Sequence, residues 1–256
     1  MFSVKVILAV LFPALLSGSI LKAQKPFDPE VVCNDFCRND SLLFFQEVEP
    51  RVHLNENEVD NTNLKGPYFD LFPGLKTDIQ SALYFFPELS AVHIKFSYKP
   101  INQTMNSRPT FLNIFRQKAK RHYRIIINNN KGKCKGLPFE ELSFNIKTGW
   151  LGHELAHICD YENMNSGQTF WFAFKYVFSK KYVRSVERNT DLITIRHGLA
   201  FPLYDGTDYL LRSKDIGAKY RNYTIVNGLS LREIKCFWYK LQNGLSLGPL
   251  DNHVLR

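Results

Sequence analysis

Five residues, His153-Glu154-Leu155-Ala156-His157, constrain this chain more than any others. The pattern is H-E-x-x-H, and its chemistry works only on a helix. Two imidazoles four residues apart then lie one above the other on a single helical face. Together they can grip one Zn²⁺ ion, while Glu154 stands beside them, placed to take a proton from activated water. The pattern arises by chance in a chain this long on the order of 1% of the time. The rest of the sequence is therefore read around it.

The surrounding residues supply the helix. Phe144 to Cys159 follows a helical pattern ending near Asp160, with Trp150, His153 and His157 near one face and Leu151, Leu155 and Ile158 covering much of the other. Cys159 lies about 200° round the helix from His157 and reads as packing, not as a ligand. Two histidines do not complete a catalytic zinc site, which needs a third protein ligand and an open position. A third histidine in the spacing H-E-x-x-H-x-x-G-x-x-H is excluded, because Asp160 and Asn163 stand where Gly and His are required. Glu187 is a better candidate. It follows His157 after a turn and a helix, and Asp191 comes four residues later on the same helical face. In this reading Glu187 binds the metal and Asp191 accepts a hydrogen bond from the far ring nitrogen of a ligating histidine. Asp191 as the third ligand, with Glu187 structural, stays open as the alternative. Glu162 is too close in sequence to fold back easily.

His153-Glu154-x-x-His157 followed by Glu187-x-x-x-Asp191 resembles the gluzincin group of zinc metallopeptidases, whose familiar member is thermolysin. The resemblance covers roughly residues 70–200. It implies an α+β, zincin-like core: a small mixed or antiparallel sheet packed on the active-site helix, followed by a helical C-terminal part. It also implies one Zn²⁺ per chain held by His153, His157 and Glu187, with Glu154 as general base and Asp191 behind the ligands. Thermolysin's motif has Asn before the ligand Glu, where this chain has Val186. The family's downstream transition-state residues do not align; His197, Tyr204, Tyr209 and Tyr220 are the candidates. In zincins the strand before the active helix pairs with an extended substrate, and Tyr123–Asn128 resembles that edge strand.

The chain has 256 residues, 45% hydrophobic and 22% charged, enough for one substantial core with an appendage. Met1–Lys5 is positively charged, Val6–Leu16 is apolar, and small residues lead to Ala23; this is the layout of a secretory signal peptide. The expected organisation is a signal peptide over 1–23, a polar, acidic extension over 24–66, and the catalytic domain over 67–256. The expected destination is secreted or periplasmic, with no integral membrane domain after cleavage. Export would expose the five cysteines to oxidation, with Cys33 and Cys37 close enough to pair and Cys134, Cys159 and Cys236 scattered.

Within the last region the patterns predict a helix over 74–86, a strand over His93–Tyr98, a turn-rich stretch over Asn102–Pro109, a short helix over Phe111–Lys120 and a strand over Tyr123–Asn128. The segment Phe170–Phe178 is apolar all round and predicts a buried helix, with a membrane-surface helix as the alternative. A helix over Val183–Leu199 carries Glu187 and Asp191. Tyr204–Arg212 reads as loop, then a short helix. The last helix runs from Ser230 to Leu241, and Ser230-Leu231-Arg232-Glu233 has capping-box spacing. The net charge is +9, and the densest basic run is Arg116–Arg124. No nucleic-acid motif accompanies that run, which reads as a solvated helix end and implies no nucleic-acid partner.

The expected activity is hydrolysis of peptide bonds in a peptide or protein substrate by zinc-activated water. An exported, non-catalytic binding or surface protein stabilised by zinc is the alternative. A third reading is a protease held inactive by residues 24–66.

Overall fold

A computed structural model of the chain describes residues 73–101, 103–109, 121–128 and 139–245. The expected signal peptide, the extension, the Phe111–Lys120 helix and Cys33, Cys37 and Cys134 lie outside them. The described fold is mixed α+β, mostly helical, with one small three-stranded sheet.

Helix α1, Pro73–Tyr84, opens on a proline, which is pre-set for a first helical turn. It buries Ile79, Ala82 and Leu83, and a short 3₁₀ turn, Pro87–Leu89, follows with Phe86 packed inside. Strands β1 (His93–Lys99), β2 (Met105–Pro109) and β3 (His122–Asn128) form a sheet in the order β1-β3-β2. β1 runs parallel to β3, with His93 opposite His122; β2 runs antiparallel to it, with Met105 opposite Ile127.

β3 is therefore the central strand, and the expectation of an edge strand at Tyr123–Asn128 is corrected. The sequence holds the physical reason. Ile125, Ile126 and Ile127 are consecutive and all buried, as in a strand covered on both faces, where a half-solvated strand would alternate. Among the described residues β1 and β2 are the edge strands, and β2 lies within the stretch expected to be turn-rich. Among the described residues β2 pairs only with β3, and it packs against the next helix.

That helix is α2, Phe144–Glu162, capped at its start by the Ser143 hydroxyl, which accepts from the Ile146 N–H. It also packs on α1 and on two later helices, α4 (Lys180–Thr194) and α5 (Ala200–Arg212). Glycines permit the close approach of α2 and α5. A Cβ on Gly149 would lie 2.3 Å from the Pro202 carbonyl oxygen, and one on Gly206 would lie 2.5 Å from Trp150 Nε1. This also explains why α5 was not expected to begin so early. Pro202 and Gly206 read as breakers, yet here they serve a helix–helix contact. Arg121 is likewise corrected from a solvated position. It is buried, and its guanidinium donates to the carbonyls of Tyr161 and Met164, tying the end of α2 to the start of β3.

Helix α3, Ser166–Phe178, lies between α2 and α4 in sequence and begins with a full capping box from Asn165 and Gln168. A π-helical turn, Ile195–Leu199, with Gly198 at φ 84°, joins α4 to α5. Helices α6 (Ala218–Asn227) and α7 (Leu231–Gln242) complete the described chain. The expected capping box of α7 is present, with Ser230 and Glu233 satisfying each other's N–H groups. Glu233 also pairs with Arg188 of α4, whose guanidinium donates to the Gly228 carbonyl. The α6–α7 loop is thereby fastened to α4.

Candidate metal centre

Helices α2 and α4 bring the predicted residues together. The Nε2 atoms of His153 and His157 lie 3.3 and 3.8 Å from Glu187 Oε2, and the three ligand atoms fall within 4.8 Å of one another. Glu154 sits half-buried on the same helix as both histidines. Residues 153 and 157 share a face of α2, and 187, 190 and 191 share the facing side of α4.

The surroundings orient each ring. His153 Nδ1 meets Asp191 Oδ1 at 2.8 Å; with its proton there it donates to the carboxylate. Asp191 does not wander, because its Oδ2 accepts the Leu229 N–H at 2.7 Å from the fastened α6–α7 loop. His157 Nδ1 meets Thr190 Oγ1 at 3.0 Å, and that hydroxyl donates its own proton to the Val186 carbonyl at 2.9 Å. The hydroxyl can then only accept from His157, so the ring proton sits on Nδ1. Both rings thus turn Nε2 toward the Glu187 carboxylate.

Glu187 is polarised in the same sense. Its Oε1 accepts from the Tyr176 hydroxyl at 2.5 Å and from Tyr223 at 3.5 Å, leaving Oε2 for the two imidazoles. Two imidazole nitrogens and a carboxylate oxygen converge on one point. That donor set suits a borderline divalent cation such as Zn²⁺. Burial opposes a charge on His153, but Asp191 and Glu187 outweigh it and hold His153 well above its ordinary pKa. Burial likewise opposes ionised Glu187, and hydrogen bonds from His153 and His157 hold it well below the ordinary carboxylate range.

Of the four other candidates, only Tyr220 is brought to this region. Burial pushes its hydroxyl up, contact with Thr104 opposes this, and the charges of Glu154 and Glu187 add to the rise. Tyr204 packs in a second core beneath Lys235, and Tyr209 packs against the main core. His197 stands elsewhere. Its ring stacks on Phe86 with centroids 4.2 Å apart, and its Nε2 meets Glu88 Oε1 at 2.7 Å. Glu162, the other carboxylate considered, accepts from Tyr123. Sequence reasoning missed Thr190, Tyr176 and Tyr223. Thr190 had a signal, lying three residues after Glu187 on the same face; the tyrosines come from separate helices and had none.

A second group can be drawn by distance, Glu88, Cys159 and His197. Cys159 and Cys236 are buried, and Cys159 points away from the His153–His157 face, as its helical position predicts. Its thiol donates to Glu88 Oε1 at 3.3 Å, the same oxygen that meets His197. The three side chains of this group already hydrogen-bond to one another.

Comparison of the chain with protein-family models, curated proteins and solved structures returns no match. Among the described residues, no helix is long and apolar enough to cross a membrane.

Proposed function

We propose that this chain is a zinc-dependent metallopeptidase of zincin-like design and gluzincin-like ligand set. One observation carries the reading: the convergence of His153 Nε2, His157 Nε2 and Glu187 Oε2, with Glu154 beside them on the same helix. His153, His157 and Glu187 would hold the ion, and Asp191, Thr190 and Tyr176 would fix those three in orientation. Zn²⁺ bound there would supply a Lewis acid that acidifies water and polarises a carbonyl.

The chain's own residues do the rest. Glu154 takes the proton from the attacking water and delivers it to the departing amine. Tyr220, held near Glu154 by α6, is the donor available to a developing oxyanion. The edge strand β2, which packs on α2, would offer backbone hydrogen bonds to an extended peptide. A strand-like substrate there would be read independently of sequence.

The test is hydrolysis of a mixed peptide library by the purified zinc-loaded chain, alongside Glu154→Gln. The variant should keep one zinc per chain and lose activity by at least about a hundredfold, the usual weight of a general base. Equal turnover in both would refute the proposed role of Glu154. Zinc bound without any hydrolysis would favour the zinc-stabilised binding protein instead.

A further inference from the structure

Helix α3 turns Trp171 and Phe178 outward. The all-round apolar sequence predicts burial, yet only Thr169 and Phe172 are buried, while Trp171 is 54% exposed and Phe178 56%. Trp171, Phe174 and Phe178 follow one another at helical spacing as a stripe, with centroids 5.6 and 4.8 Å apart. The inward side of the helix is committed to the fold: Phe172 packs on Tyr161 and Tyr182, and Tyr176 reaches Glu187.

The Tyr176 and Tyr223 hydroxyls meet on that inward side, 3.4 Å apart, so α6 approaches α3 away from the Trp171 stripe. An aromatic stripe left outward in this way is the kind of patch an isolated surface seldom keeps.

Charge identifies what fits it. α3 contains no Asp or Glu. Lys175 lies on α3, and exposed Lys180 and Lys181 follow immediately. Aromatic rings beside flexible lysines, without acids, are what an interfacial helix presents to phosphates and acyl chains. A symmetric pairing of two copies would instead set like-charged lysines in one contact.

We infer that the exposed face of α3 docks on an anionic lipid bilayer. Trp171 and Phe178 enter the boundary between headgroups and chains, and Lys180 and Lys181 remain at the phosphates. The inference asks nothing of Glu154 or of the metal, so it stands or falls apart from the peptidase reading.

The full chain is mixed with vesicles of phosphatidylcholine alone, or of phosphatidylcholine with phosphatidylglycerol. Binding should favour the anionic vesicles and weaken with added salt. Lipids brominated on the acyl chains should quench tryptophan fluorescence in the wild type and much less in Trp171→Phe, where only Trp150 and Trp238 remain. Replacing both Trp171 and Phe178 by Ser should weaken vesicle binding at least about tenfold, and Lys181→Gln about fivefold. The inference is overturned if Trp171→Phe leaves the quenching unchanged, because another segment such as Val6–Leu16 then does the binding. It is equally overturned by a lipid-free dimer that the double variant dissolves, or by a cross-link placing residues 24–66 over α3. If the double variant fails to fold, the quenching of Trp171 alone decides.

Discussion

Two groups of three ligand-bearing side chains sit on opposite sides of α2, and they are not equivalent. Both join histidine to a carboxylate at short range. In the His153–His157–Glu187 group, each residue is gripped from behind by a different partner: Asp191, Thr190 and Tyr176. Those grips use up the outer atoms and turn His153 Nε2, His157 Nε2 and Glu187 Oε2 toward one another. In the Glu88–Cys159–His197 group the hydrogen bonds run between the members, so imidazole and thiol already share one carboxylate oxygen. The Glu88 side chain is also 47% exposed, free to swing into water. Proximity alone therefore does not define a metal site. The fate of the second nitrogen or oxygen of each ligand separates a prepared site from a satisfied cluster.

The comparison breaks most readily at Glu187. Glu187→Ala removes a ligand and should lower zinc affinity by more than about 100-fold, beyond what loss of an outer partner causes. Metal content after dialysis against a graded chelator measures it. Asp191→Ala should come next, at about 10–100-fold, because it frees the His153 ring while leaving all three ligand atoms in place. It also strands the Leu229 N–H, at a cost of about 1–3 kcal/mol in stability. If Asp191→Ala loses more zinc than Glu187→Ala, the roles of the two carboxylates are exchanged. Thr190→Val keeps the shape but removes the acceptor for His157 Nδ1, and should cost about tenfold in affinity, the low end of the same range.

How much of this was legible depends on whether a contact is local. The proposed ligands and the proposed base lie at helical spacings within two helices, and period 3.6 alone puts 153 with 157 and 187 with 191. The strand Tyr123–Asn128 was legible as a strand for the same reason. Its place in the sheet was not inferred, although three consecutive isoleucines already indicate cover on both faces. Tyr176 and Tyr223 were out of reach, because they meet Glu187 only through the packing of α3 and α6. The burial of α3 was misjudged for a related reason. Composition counts apolar residues, but which face finds a partner depends on where α2, α4 and α6 lie. The helix at Ala200–Arg212 was hidden because Pro202 and Gly206 break local propensity, and their reward is the close approach to Gly149 and Trp150.

The smallest effect belongs to the opposite group, and it sharpens the contrast. Burial would raise the pKa of Glu88, but its own backbone N–H and His197 more than offset this and hold it below its ordinary value near 4.5. A carboxylate so lowered contributes stability that is present above that ordinary value and is lost as pH falls through the lowered one. Because Glu88 is half exposed, solvent screening limits the contribution to about 1 kcal/mol or less. Glu88→Gln should therefore cost a small amount of stability near neutral pH. In denaturant titrations the variant and the wild type should converge as the pH falls below the carboxylate range. Zinc content should not change, and Cys159→Ser should leave it unchanged as well. A loss of one zinc per chain in either variant would mean that this group holds an ion after all, and the distinction drawn between the two faces of α2 would fail.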